Sequence, residues 1–101
     1  MDFIPYGTDP EKDKLVDSEN RSDRMIAVKA GYGLDKLVND EEWWVRREVA
    51  RQGYGLDKLV DDENDWVRVA VAEQGYGLEK LVNDEFWQVR KAVGRGSSVN
   101  I

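Results

Sequence analysis

The octapeptide Gly-Tyr-Gly-Leu-Asp-Lys-Leu-Val stands at residues 31–38 and again at 53–60. It returns at 75–82 with Glu79 in place of aspartate. The period is 22 residues, and self-similarity at such a period marks a repeat architecture. A unit this short cannot bury its own apolar face. Neighbouring copies must stack to make a core, so the chain is expected to present a surface and not to enclose a catalytic pocket.

Three full copies align without gaps, at 31–52, 53–74 and 75–96. Residues 1–30 hold a divergent, capping copy, in which Lys14, Leu15 and Val16 take the places of Lys36, Leu37 and Val38, and Arg24 that of Arg46. Residues 97–101 remain as a tail, and 1–101 reads as a single domain. Within a copy, Leu34, Leu37 and Val38 share one side of a short helix of α or 3₁₀ type. Asn39-Asp40 breaks that pattern and is expected to cap a longer helix over about 41–52, with Val45 and Val49 inward. Gly53 is expected to end it. At the first copy Asp9-Pro10-Glu11 signals a helix start. The four tyrosines, Tyr6, Tyr32, Tyr54 and Tyr76, are expected to cover the joints between copies.

Asp40 lies six positions before Arg46, as Asp62 does before Arg68 and Asp84 before Arg90. With Leu37-Val38 before and Val49-Ala50 after, this pattern resembles the HEAT repeat. The short period and the run Val-Arg-x-x-Val-Ala-x-Gln-Gly are still more similar to the leucine-rich repeat variant. The resemblance covers about 90 of the 101 residues. It implies an all-α, right-handed α-solenoid of about four two-helix repeats. It also implies that Asp40, Arg46, Asp62, Arg68, Asp84 and Arg90 form a hydrogen-bonded ladder along it, for which charge-assisted pairing is the physical basis. Three features depart from that family. Gln52-Gly53 and Gln74-Gly75 replace its usual Asn-Pro. The cysteine cluster that holds an iron–sulfur centre in its founding member is missing, so no cofactor carries over. Ser18 stands where the first ladder aspartate belongs, leaving Arg24 to pair with Asp17 or to stay free.

The copies differ most at the start of the longer helix, where all four tryptophans fall. At ~100° per residue, Trp43, Arg47 and the edge of Arg51 point away from Val45 and Val49. Translation along the repeat adds Asp65, Val69 and Glu73, then Trp87, Lys91 and Arg95, with Arg21, Met25 and Lys29 in the first copy. These residues are expected to form an exposed ribbon, concave in solenoids of this kind, that is mostly basic although the chain carries a net charge of −6. Trp44 and Trp66 are expected to wedge between neighbouring long helices.

Basic and aromatic residues together point to partner binding. The principal expectation is a non-catalytic protein-interaction module. Its partner-binding residues are Met25, Trp43, Arg47, Arg51, Val69, Trp87, Lys91 and Arg95, and its ligand is an acidic or apolar-anchored protein segment. Nucleic-acid binding by the same ribbon is the alternative, though the net charge opposes it. A third reading is a small acidic inhibitor whose acid-rich edge imitates a phosphate backbone. Without histidine or cysteine, the commonest metal ligands and the usual general base are missing, and no nucleophile–base arrangement occurs. No metal, cofactor or enzymatic activity is expected. The Gly-Tyr-Gly turn is no dinucleotide fingerprint, since no strand precedes it. With no long apolar run and no signal-peptide pattern, the chain reads as cytoplasmic and free of membranes. At the C-terminal end no further short helix follows to cover Val89 and Val93. Val99 and Ile101 folding back, or a homodimer through this end, would cover them.

Overall fold

Each helix begins where the sequence supplies a turn. At Asp9 the backbone is extended, its carboxylate accepts from the N–H groups of Glu11 and Lys12, and Pro10 presets the first helical φ. The computed structural model describes residues 3–98, and these hold eight helices. They are α1 (Pro10–Val16), α2 (Arg21–Lys29), α3 (Leu34–Leu37), α4 (Trp43–Arg51), α5 (Leu56–Leu59), α6 (Asp65–Glu73), α7 (Leu78–Leu81) and α8 (Trp87–Ser98). The only extended pairing among the described residues is a single parallel bridge between Ile4 and Tyr32.

The long helices start about two residues later than the sequence suggests. Asp40 does not cap α4; its Oδ1 accepts from Glu42 N–H, and Glu42 occupies the cap position without a side-chain bond. In α2 and α6 the caps are Asn20 and Asn64. Gly53 follows α4 at φ 80°, the left-handed turn expected there. In the last copy Ser97 takes the place of that glycine, and the helix runs on to Ser98 instead of giving way to a tail at 97. Val99 and Ile101 lie outside the described residues.

The core is assembled between copies. Val45, Val67 and Val89 are fully buried at equivalent places, as are Leu37, Leu59 and Leu81. Each long helix packs against the next, α2 on α4, α4 on α6, α6 on α8. The resulting body measures 41 × 25 × 17 Å. At each joint a glycine sits on a valine of the copy before. Gly77 has φ 66°, and a Cβ there would stand 2.6 Å from Val60 Cγ2; Gly55 meets Val38 in the same way. Both the backbone angle and the space require glycine. Val60 is accordingly 8% exposed, whereas Val82 is 48% exposed. Val89 and Val93 are buried, and Val82 is the valine left open.

The arginines bridge the same joints. Arg24 Nε donates to Asp40 Oδ2 at 2.7 Å, Arg46 to Asp62 at 2.8 Å and Arg68 to Asp84 at 2.8 Å. Each guanidinium also donates to a backbone carbonyl of its own copy, Arg46 to Asp40 and Arg68 to Asp62 at 2.7 Å. The side chains thus pair across copies, and Arg24 binds neither Asp17 nor solvent but Asp40, with its Nη1 on the Ser18 and Glu19 carbonyls. Hydrogen bonding to Asp62 raises the pKa of Arg46, and bonding to Asp84 raises that of Arg68. Burial pushes the Asp84 carboxyl up, but Arg68, the Phe86 N–H and the Arg90 charge outweigh it and leave it below its usual value. Arg90 donates to the Asp84 carbonyl and meets no further carboxylate among the described residues.

An element the sequence pattern did not reveal crosses the first joint. Ile4 N–H donates to the Gly31 carbonyl at 3.3 Å, and Gly33 N–H donates to the Ile4 carbonyl at 2.8 Å. Tyr6 N–H donates to Asp35 Oδ1 at 3.0 Å, and its hydroxyl donates to Asp17. The Lys36 ammonium lies 4.1 Å from the Tyr6 ring centre and pairs with Asp17. The Phe3 ring meets Tyr54 edge-on at 4.9 Å. Under this cover Tyr32 is fully buried and donates to Asp13. Tyr54 is half-buried, and Tyr76, expected to close the last joint, is 40% exposed.

Candidate interaction groove

The outer faces of α4, α6 and α8 lie side by side, and two adjoining hollows run between them. The first, of 230 Å³, is lined by Trp66, Val69, Trp87, Gln88, Lys91 and Arg95. The second, of 180 Å³, lies towards α4 and is lined by Arg47, Arg51, Ala70, Glu73 and the shared Trp66, Val69 and Arg95. Together they make one groove with an apolar floor and a cationic rim. Glu73 is the single acid on that rim, and Arg95 Nη2 donates to it at 2.9 Å.

Six of the eight residues expected to bind a partner line this groove: Arg47, Arg51, Val69, Trp87, Lys91 and Arg95. Three placements differ from expectation. Val69 is buried and forms the floor instead of standing on an exposed ribbon. Trp43 is half-buried against the core, with the Arg47 guanidinium 5.2 Å from its ring centre, so it does not project as an anchor. Met25 is likewise half-buried against the core and lines neither hollow. Trp87 does project, 55% exposed, with Lys91 Nζ 5.9 Å from its ring centre. The aromatic that replaces Trp43 in the groove is Trp66, which is 41% exposed instead of wedged between long helices and packs edge-on against Phe86 at 5.3 Å. Trp44 is half-buried with Arg21 5.8 Å from its ring centre, which fits the expected wedge between α2 and α4.

The missed residues are Trp66, Gln88 and Ala70. A helical wheel drawn from Val45 sets position 44 and its equivalents about a quarter turn from the core. Whether such a ring turns inward depends on what the neighbouring helix offers. At Trp66 the neighbour is Phe86, an aromatic edge at which the ring rests near the surface. The presence of Phe86 one period after Asn64 was the available signal.

Two polar atoms on the groove lining lack partners among the described residues. Arg47 Nε and Gln88 Oε1 are buried and make no hydrogen bond. No family model, curated protein or solved structure matches the chain. Among the described residues no helix is long and apolar enough to cross a membrane.

Proposed function

We propose that the chain is a HEAT-like, right-handed α-solenoid, closest to the leucine-rich repeat variant, and that it works as a non-catalytic protein-interaction module. The partner is an acidic protein segment carrying an aliphatic or aromatic anchor, laid along the groove across α4, α6 and α8. The observation that carries this reading is the continuity of the two hollows. They share Val69 as an apolar floor and Trp66 as an aromatic wall beside Arg47, Arg51, Lys91 and Arg95. An exposed tryptophan beside cations is suited to anchor a chain whose charges those cations meet.

Selection of displayed peptides tests it. Acidic peptides with one bulky apolar residue should be enriched, and their affinity should fall as salt rises. Trp66→Ala and Trp87→Ala should each weaken capture by about tenfold or more, and Arg47→Ala with Lys91→Ala should reduce the salt dependence. Enrichment indifferent to these four changes defeats the proposal. Retention on DNA at about 50 mM salt through the same residues would instead move the reading to nucleic acid. Phosphate mimicry by the acidic edge has less support, because Asp40, Asp62 and Asp84 are engaged by arginines and nearly buried.

A further inference from the structure

The segment Ile4–Tyr6 occupies a receptor made from one repeat joint, and that receptor is present twice. Its parts are the Gly31 carbonyl, the Gly33 N–H, the Asp35 carboxylate, and the Asp17–Lys36 pair that receives the Tyr6 hydroxyl and ring. The Lys36 hydrogen bond and then the Tyr6 hydroxyl hold the Asp17 carboxyl below its ordinary range, as an acceptor should be held. Forty-four residues further on stand Gly75, Gly77, Glu79, Asp61 and Lys80. Gly77 has the same left-handed backbone as Gly33, with φ 66° against 70°. Lys80 pairs with Asp61 as Lys36 does with Asp17.

Occupancy separates the two. Gly31, Tyr32 and Gly33 are buried beneath Ile4–Tyr6, whereas Gly75 and Tyr76 are exposed. The Gly75 carbonyl and the Gly77 N–H have no hydrogen-bond partner among the described residues, though their counterparts are bonded. The intervening joint is a poorer copy. Asn39 stands where the acid should be, so Lys58 has no carboxylate to match, and the Phe3 ring already lies on Tyr54.

We propose that the Gly75–Lys80 turn, with Asp61, is a second docking site that takes an extended peptide of aliphatic–Pro–Tyr character from a partner protein. The aliphatic residue would pair its backbone with the Gly75 carbonyl and the Gly77 N–H, in the manner of strand addition. The tyrosine N–H would meet Glu79, its hydroxyl would donate to Asp61, and its ring would lie under the Lys80 ammonium. The chain's own Ile4-Pro5-Tyr6 shows which groups fit. This site lies on the turn edge of the molecule and does not depend on the groove.

A synthetic peptide with the sequence of residues 2–8, titrated into the full chain and followed by amide NMR, tests the proposal. The Gly75 and Gly77 amides should shift in a saturable way, with a Kd of roughly 1 mM or tighter. Lys80→Ala, or phenylalanine for tyrosine in the peptide, should weaken binding about five- to tenfold. Lys58→Ala and Trp87→Ala should leave it unchanged. Asp61 and Lys80 are exposed, so these variants are expected to fold, and circular dichroism checks that. Any of four results overturns it: no saturable shift, shifts confined to Gly31 and Gly33 by exchange with the chain's own segment, equal binding of a scrambled peptide, or a dimer formed without peptide and lost on Lys80→Ala. The last would assign the site to a second copy of this chain.

Discussion

Val60 and Val82 hold the same place in successive copies, and Arg68 and Arg90 form a second such pair. At the inner joint Val60 lies beneath Gly77, and Arg68 is clamped between the Asp62 carbonyl and the Asp84 carboxylate. At the outer end Val82 is half open, and Arg90 makes its hydrogen bond to the Asp84 carbonyl without a clamping carboxylate from a following copy among the described residues. Identical residues therefore carry different energetic weight. What fixes that weight is the copy that follows. A residue in this chain is stabilising to the degree that the next copy supplies a glycine surface or a carboxylate.

Arginine removal should separate the two ends most sharply. Arg46→Ala leaves Asp62 nearly buried without its cation and should cost about 3 kcal/mol, read as a lower urea midpoint. Arg90→Ala, at the exposed counterpart, should change stability by less than about 0.5 kcal/mol. Equal losses would break the comparison.

Glycine is next. Gly77→Ala must hold a Cβ at positive φ and displace the Val60 methyl, for a combined cost of about 2–3 kcal/mol. Gly94→Ala adds a Cβ that meets nothing within 4 Å, inside α8, and should be neutral or raise stability by up to about 1 kcal/mol. Thermal unfolding of both variants checks the signs. Val60→Ala should then lose about 1–2 kcal/mol through its missing methyls, while Val82→Ala should lose under about 0.5 kcal/mol; chemical denaturation measures both.

The smallest effect is in pH. The Asp84 carboxyl is held below its unfolded value by Arg68, the Phe86 N–H and Arg90, against the pull of burial. A depressed carboxyl contributes stability that is fully present above the unfolded pKa of about 3.9. That contribution is lost as pH falls through the lower folded value. The wild-type urea midpoint should therefore drop below about pH 4, and Arg68→Gln should show a shallower drop over the same interval. Parallel curves would remove Arg68 from the cause.

Much of this was legible in the sequence because repetition makes local signals additive. The paired helices, the turn glycines and the inward positions of Val45 and Val49 follow from spacing alone. The arginine partners required more, since Arg24 reaches a carboxylate sixteen positions ahead while its own copy offers a serine. The groove was legible as a face but not as a floor. Val69 lies low because α8 rises beside it, and Trp66 stays out because Phe86 supports its edge. The docking of Ile4–Tyr6 left no periodic trace, because it is made mainly of backbone groups and of side chains from different copies.

The ladder sets the step by which the chain can change length. Each rung joins an arginine to an aspartate on the far side of a joint, and the glycine that opens each short helix fits a valine of the copy before. An inserted duplicate of 53–74 would meet the same glycine on one side and the same carboxylate on the other, so it should join without remodelling. An insertion one residue longer or shorter would turn every later valine away from its glycine and every arginine from its acid. Growth by whole units only is thus written into the joints, and a gene duplication that respects them yields a longer protein of the same kind in a single event.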